Sequence, residues 1–259
     1  MSTVLITGAS SGIGYELAKL FARDRHNLVL VARSNDKLTQ VAAELQPLGI
    51  TVKTIALDLA ALPGPKFLFD QLQRDDITID ILVNNAGFGA FGEFAQMAEE
   101  EIYGQISLNI TALTELTRLF LPPMIARRSG RIMNIASTAA FQPGPLMAVY
   151  YATKAYVLSF SEAIANELRG TGVTVTCLCP GATHTGFARR AGTENSRVFK
   201  QFGAMSAEEV ARDGYRALMA GRTTAISGAR NWLVAQSTRF APRKMVTALS
   251  RWVSEKTNS

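Results

Sequence analysis

Tyr150 and Lys154 stand four positions apart, and a further hydroxyl, Ser137, precedes Tyr150 by thirteen residues. On a helix, positions i and i+4 share a face, so the spacing brings an ammonium beside a phenol. At about 4 Å and an effective dielectric of about 20, that charge favours the phenolate by about 4 kcal/mol, roughly three pKa units. The tyrosine is thereby expected to fall from about 10 toward 7, where it can give and take protons. Reducing a carbonyl by hydride transfer asks for such a group, for something to hold the carbonyl oxygen, and for a nicotinamide against the carbon. Each residue alone also has an ordinary reading, as an exposed helix pair or a turn serine. Tyr151 is three positions from Lys154 and is expected to pack off that face, and Thr138 is a neighbour of Ser137.

A second group of residues could hold the nicotinamide. After the apolar run Val4–Thr7 comes Gly8-Ala9-Ser10-Ser11-Gly12-Ile13-Gly14, followed by an amphipathic stretch with Leu17, Leu20 and Phe21 on one face. Glycines at a strand exit and helix entry let backbone N–H groups and the positive helix end approach a pyrophosphate. A plain tight turn would look similar, and the spacing departs from the common G-x-G-x-x-G. The same residues match G-x-S-x-G through Gly8, Ser10 and Gly12, which would make Ser10 a hydrolase nucleophile. That reading needs a histidine base, and the chain has only His26 and His184. The second apolar run ends Ala32-Arg33, where an acid would bond a ribose 2′-hydroxyl. Arg33 offers a planar fork to a 2′-phosphate instead, so NADP(H) is favoured over NAD(H), unless Arg33 is simply solvated.

The elements that must carry these residues follow from periodicity. Apolar, β-branched runs recur at 4–7, 28–32, 52–57, 81–83, 132–136, 173–178 and, more weakly, 224–226, with helix-period stretches at 12–24, 36–46, 64–74, 98–127, 150–169 and 206–220. This alternation predicts an α/β, doubly wound parallel sheet of about seven strands with helices on both faces, Rossmann-like and of one domain. Residues 138–149 and 181–205 fit neither period. Both follow strands, where such sheets hold ligands, so they are the expected substrate loops.

Composition agrees. A chain of 259 residues, 47% hydrophobic and 19% charged, has the apolar content for one sizeable core. No apolar run reaches the length of a membrane span and no secretory leader is visible, so a cytoplasmic protein is expected. Cys177 and Cys179 sit two apart in a strand-like run and read as core thiols, and no metal-ligand spacing occurs. Of the formal charge of +6, residues 229–259 carry +5, from Arg230, Arg239, Arg243, Lys244, Arg251 and Lys256 against Glu255. The nearly neutral remainder argues against a nucleic-acid partner.

Taken in order, these motifs resemble the short-chain dehydrogenase/reductase superfamily in its single-domain form, from Val4 to about Ile226. The resemblance rests on the Gly8/Gly12/Gly14 turn, Asp58-Leu59, Asn84-Asn85-Ala86-Gly87, Asn109, Ser137, Tyr150-Tyr151-Ala152-Thr153-Lys154, and Pro180-Gly181 with Thr183 and Thr185. It implies that Lys154 also bonds the nicotinamide ribose, Ser137 steadies the substrate oxygen and Asn109 helps hold a relay water. It further implies that Asp58 and Leu59 meet the adenine and Asn85, Ala86 and Gly87 the adenosine side. Pro180, Gly181, Thr183 and Thr185 would meet the nicotinamide amide and pyrophosphate. The partner implied is a small carbonyl or alcohol, and a homodimer or homotetramer is implied through helices at about 103–127 and 150–169. A catalytically silent NADP-binding scaffold is the competing reading.

Phe88, Phe91, Phe94, Phe141, Met147 and Phe187 surround the expected pocket, and no Arg or Lys lies between Gly87 and Gln105. An apolar ketone or aldehyde is the expected substrate. Residues 1–228 form the dinucleotide-binding and catalytic part, and 229–259 a basic amphipathic extension holding both tryptophans, Trp232 and Trp252. Within 243–256, Met245, Val246, Leu249, Trp252 and Val253 form a stripe expected to pack on the body or on another subunit. Peripheral contact with an anionic membrane surface, or a cover for the pocket, is the alternative.

Overall fold

The computed structural model describes residues 1–194, 196–197 and 203–255. Seven strands, β1 (Thr3–Thr7), β2 (Asn27–Ala32), β3 (Val52–Ala56), β4 (Ile81–Asn84), β5 (Gly130–Ile135), β6 (Val173–Cys179) and a late strand (Thr224–Ile226), form one sheet. All pairings in it are parallel, in the order β3-β2-β1-β4-β5-β6 and then the late strand. The order reverses between β1 and β4, which opens a crevice beyond their carboxyl ends.

The period-2 alternation of β1 sets the two layers. Val4 and Ile6 point to one face, where they pack with Leu17 and Phe21 of α1 (Gly12–Arg23) and Leu38 of α2 (Asn35–Leu45). Leu5 points to the other, against Leu68 and Leu72 of α3 (Gly64–Arg74). Phe21 is fully buried, which stabilises the fold by about 2–3 kcal/mol relative to an exposed ring.

The predicted helix 98–127 is present but interrupted. It runs as α4 (Glu99–Ile106), a π-helical segment Ser107–Ala112, and α5 (Leu113–Ala126). The predicted helix 150–169 is α6 (Ala148–Glu167), beginning two residues earlier. The unassigned stretch 138–149 opens with a short 3₁₀ turn at Thr138–Phe141. The stretch 181–205 contains β7 (Thr183–His184), α7 (Gly186–Ala191) and the first residue of β8 (Met205–Ser206), with 195 and 198–202 outside the described residues. β7 and β8 pair in a small separate sheet.

α8 (Ala207–Met219) starts with a capping box. The Ser206 hydroxyl accepts the Glu209 N–H at 3.1 Å, and the Glu209 carboxylate accepts the Ser206 N–H at 3.0 Å. After the late strand, now β9, come α9 (Ala229–Ser237) and α10 (Arg243–Ser254). The expected tail helix 243–256 therefore ends at Ser254, and Lys256 lies outside the described residues. No helix among the described residues is long and apolar enough to cross a membrane.

Candidate active site

A cavity of about 560 Å³ opens beyond the carboxyl ends of β1, β2, β4, β5 and β6. Gly8, Ser10, Ser11, Gly12 and Ile13 form one wall, where Gly8 and Gly12 adopt φ of +65° and +59°. Such conformations suit glycine, and a Cβ on Gly8 would lie 2.8 Å from the Asn85 amide nitrogen. Gly14 is not on the wall. A Cβ there would come within 2.5 Å of both Asn85 Nδ2 and the Gly8 carbonyl, so Gly14 permits close packing of α1 on the turn. α1 begins at the cavity with no side-chain cap and no acid in its first turn, leaving N–H groups and a positive end toward the space. This cradle fits an anionic pyrophosphate.

The tip of β4 is knitted to that turn. Asn85 Nδ2 donates to the carbonyls of Thr7 at 2.9 Å and Gly8 at 3.1 Å. Thr7 Oγ1 accepts the N–H groups of Asn85 and Ala86 at 2.9 and 3.0 Å. Asn85, Ala86 and Gly87 line the cavity, as do Asp58 and Leu59 after β3. The Asp58 carboxylate accepts the Ala60 N–H at 2.9 Å. At the end of β2 the wall holds Arg33, Ser34 and Lys37. Lys37, in the first turn of α2 and four positions past Arg33, was not among the residues singled out from sequence.

Ser137, Tyr150 and Lys154 meet on the opposite wall. Ser137 leaves β5 and caps the 3₁₀ turn: its Oγ accepts the Ala139 N–H at 3.1 Å and donates to the Pro180 carbonyl at 3.3 Å. Tyr150 and Lys154 project from one face of α6, with the ammonium 5.8 Å from the phenol ring centroid. The Lys154 ammonium donates to the Ile135 carbonyl at 2.7 Å. Pro180, Gly181, Thr183 and Thr185 complete the wall after β6, where Thr185 caps α7 by accepting the Phe187 N–H at 3.2 Å.

The electrostatics correct the sequence expectation. Burial pushes the Tyr150 phenol well above its ordinary value, opposed by the hydrogen bond with Ser137. Burial lowers the Lys154 ammonium to about 8, opposed by the nearby thiols. The phenol is not drawn toward 7, because burial disfavours the charged forms of both groups. At neutral pH Tyr150 is a held proton and Lys154 is still mostly charged.

Asn109 lies behind this wall. Its amide donates to the Phe88 carbonyl at 2.8 Å and Thr153 Oγ1 at 3.0 Å, and its Oδ1 accepts the Phe88 N–H at 3.1 Å. The π-helical turn that carries it widens the helix locally, and Asn109 there ties the loop after β4 to α6.

Other expectations need amendment. Tyr151 also lines the cavity, because Gly144 leaves room for its ring: a Cβ there would be 2.2 Å from Tyr151 Cγ. Met147 and Phe187 are on the wall, but Phe94 is 60% exposed and Phe141 packs with Ala136 and Val157. The absence of cations between Gly87 and Gln105 does not leave the site without them. Arg190 of α7 lines the cavity with its guanidinium 4.1 Å from the Phe88 ring centroid. Thr193, Ser196, Val253 and Ser254 also reach the wall. Their contribution depends on how distant segments fold back, which local pattern does not encode.

Neither histidine serves Ser10. His26 precedes β2, at the far end of the sheet from the cavity, and β7 alternation turns Thr183 inward and His184 to solvent. Cys177 and Cys179 are buried free thiols 3.9 Å apart on one face of β6. No cluster able to hold a metal occurs among the described residues.

Residues 2–196 match the family described as short chain dehydrogenase. The chain is 39% identical over 179 residues to the ketoacyl reductase HetN of Nostoc sp., covering 69% of this chain and 62% of that protein. It therefore spans less than two thirds of that relative's length. Among solved structures, a short-chain dehydrogenase from Sphingobium yanoikuyae in complex with NADPH is 35% identical with a TM-score of 0.81, covering 93% of this chain and 94% of that one. The bulky-bulky ketone specific alcohol dehydrogenase from Comamonas testosteroni is 32% identical with a TM-score of 0.78, covering 93% and 92%.

Proposed function

The chain belongs to the short-chain dehydrogenase family of oxidoreductases, which use NAD(P)(H), and on that footing we propose that it transfers a hydride between NADP(H) and an apolar ketone or aldehyde, or the matching alcohol. The observation that carries this reading is the meeting of Ser137, Tyr150 and Lys154 on one wall of the cavity whose other wall is the Gly8 to Ile13 turn. Arg33 and Lys37 beside Ala32 support the phosphorylated dinucleotide, as does the relative crystallised with NADPH. Met147, Tyr151 and Phe187 support an apolar substrate, as does the relative specific for bulky ketones.

In this reading Gly8, Ser10, Ser11, Gly12 and Ile13 hold the pyrophosphate, and Asp58, Leu59, Asn85, Ala86 and Gly87 the adenosine side. Pro180, Gly181, Thr183, Thr185 and Lys154 hold the nicotinamide side. The dinucleotide supplies the hydride and, in its oxidised form, a cationic ring. Tyr150 gives its hydroxyl proton to the carbonyl oxygen, which the Ser137 hydroxyl holds. The Lys154 ammonium favours the phenolate left behind. Asn109 is a positioning residue that keeps the Phe88 loop and α6 in register.

Since burial keeps the phenol protonated, reduction is the favoured direction at neutral pH, and alcohol oxidation should climb as the pH rises. The test follows loss of the near-ultraviolet absorbance of NADPH with a panel of ketones and aldehydes. Tyr150→Phe is expected to lose turnover by about 10²- to 10⁴-fold while binding NADPH within a few-fold of the parent. Unchanged turnover in the variant overturns the acid assignment. Cofactor binding with no turnover of any carbonyl by the parent would favour the silent scaffold.

A second copy is proposed to pack on the α4–α5–α6 face, where Ile106, Ile125 and Tyr156 are exposed, and light scattering of the purified chain reads the assembly.

A further inference from the structure

α10 is inverted with respect to water. At 100° per residue, Met245, Leu249 and Trp252 share one stripe, and Val246, Ser250, Val253 and Ser254 lie on another side of the helix. The structure buries Ser250 and Ser254, at 7% and 5% exposure, and leaves Met245, Leu249 and Trp252 at 66%, 62% and 45%. The buried Ser250 hydroxyl has no hydrogen-bond partner among the described residues, an arrangement that ordinarily costs about 1–3 kcal/mol. α9 and the turn after it add exposed Trp232, Leu233, Val234 and Phe240, the last at 88%.

This apolar surface is set among cations. Arg239, Arg243, Lys244 and Arg251 accompany it, and the one described acid of 229–255, Glu255, is engaged by Arg197 and Arg251. Isologous pairing with a second copy would bring two such basic clusters, each with Arg239, Arg243 and Lys244, into one interface. An anionic surface receptive to aromatic and aliphatic side chains answers both features at once.

The position relative to the cavity is also informative. Val253 and Ser254 of α10 line the cavity with their inward side, and Asn231 of α9 packs on Gly181 of the cavity wall, where a Cβ would fall 2.4 Å from its Nδ2. Both helices therefore border the site.

We propose that α9, α10 and the turn between them form a docking element for an anionic lipid bilayer surface, which seats the protein with its cavity beside the bilayer. The proposal rests on this surface alone and is independent of the reaction assigned above.

The test uses the full chain and vesicles of phosphatidylglycerol or of phosphatidylcholine. Trp232 and Trp252 are the protein's two tryptophans, so tryptophan emission, excited selectively over the six tyrosines, reports this element and no other. The expected result is co-sedimentation with phosphatidylglycerol vesicles and a blue shift of the emission, at least about tenfold stronger than with phosphatidylcholine and weakened by salt. A Leu233→Ser/Leu249→Ser double variant keeps both reporters and is expected to bind at least about tenfold less. An Arg243→Glu/Lys244→Glu variant is expected to lose the preference for the anionic lipid. Both variants should retain the parent's melting temperature and its turnover of a water-soluble carbonyl.

Failure to co-sediment with phosphatidylglycerol overturns the proposal, as does equal binding to the two lipids. So does a concentration-dependent dimer whose tryptophans are already shielded from a soluble quencher without vesicles, which would identify a second copy as the occupant. Binding only to an acidic protein, and not to vesicles, likewise overturns it. If the parent chain turned over no carbonyl, the assigned reaction would fall while vesicle binding would still decide this proposal.

Discussion

The first 228 residues and the two helices that follow obey opposite rules of burial. In the body, the elements around the central sheet turn their apolar sides inward: β1 sends Val4 and Ile6 to one core and Leu5 to the other, and α1 buries Leu17 and Phe21. In α10 the inward side holds Ser250 and Ser254 beside half-buried Val246 and Val253, and Met245, Leu249 and Trp252 face out. The body is thus made of side chains that water has driven together, whereas the tail carries side chains that its own fold leaves in water. The difference separates a region shaped for stability from one shaped for an encounter.

Substitutions of similar size in the two regions should have unequal effects. Phe21→Ala, in the body, is expected to cost about 3–5 kcal/mol and to lower the melting temperature by several degrees, read by calorimetry. A loss below about 1 kcal/mol would erase the contrast.

Lys154→Met probes the part of the body that breaks its own rule by burying a charge. A lysine whose pKa is lowered from 10.5 to about 8 binds its proton more weakly folded than unfolded. That penalty is fully present below about pH 8 and fades as pH rises toward 10.5, so parent stability should increase across this window. The methionine variant should lose turnover yet melt no lower than the parent at neutral pH, the removed penalty being on the order of 3 kcal/mol. Melting curves of both proteins between pH 7 and about 10 read the effect, and a flat parent curve would remove it.

Arg33→Ala is expected to weaken NADPH binding by about tenfold while leaving NADH binding within about twofold, measured by titration. An equal loss for both dinucleotides would place Arg33 away from the 2′-phosphate. The smallest effect belongs to the tail: Leu249→Ser should shift stability by less than about 0.5 kcal/mol in unfolding by urea. A core-sized loss would mean that Leu249 is a packing residue after all.

What could be read from the chain follows the same division. Strand and helix positions in the body fell within a few residues of their observed ends because buried parallel strands and amphipathic helices impose strong, local periods. Tyr150 and Lys154 share a face because α6 is a regular helix, and the glycine turn is visible because Gly8 and Gly12 need left-handed backbone. The π-helical turn at Asn109 was not legible, since its cause is a set of hydrogen bonds to Phe88 and Thr153, far away in sequence. Arg190 was missed for the same reason. The pKa of Tyr150 went the other way because spacing reports which charges are neighbours and says nothing of how deeply they are buried. In α10 the period gave a stripe of Met245, Val246, Leu249, Trp252 and Val253, but periodicity shows which residues lie together and not which side meets the protein. The structure divides that stripe, with Val246 and Val253 half-buried and the other three outside.

The Arg197 side chain joins the two regions. Its guanidinium lies 4.8 Å from the Trp252 ring centroid, donates to the Trp252 carbonyl at 2.7 Å and pairs with Glu255. One arginine thus works as a latch between the last helix and the chain that leaves α7, only a few residues beyond Arg190 and next to Ser196 of the cavity wall. Trp252 of the outer surface is thereby tied, through one side chain, to the residue that follows Ser196 of the cavity wall.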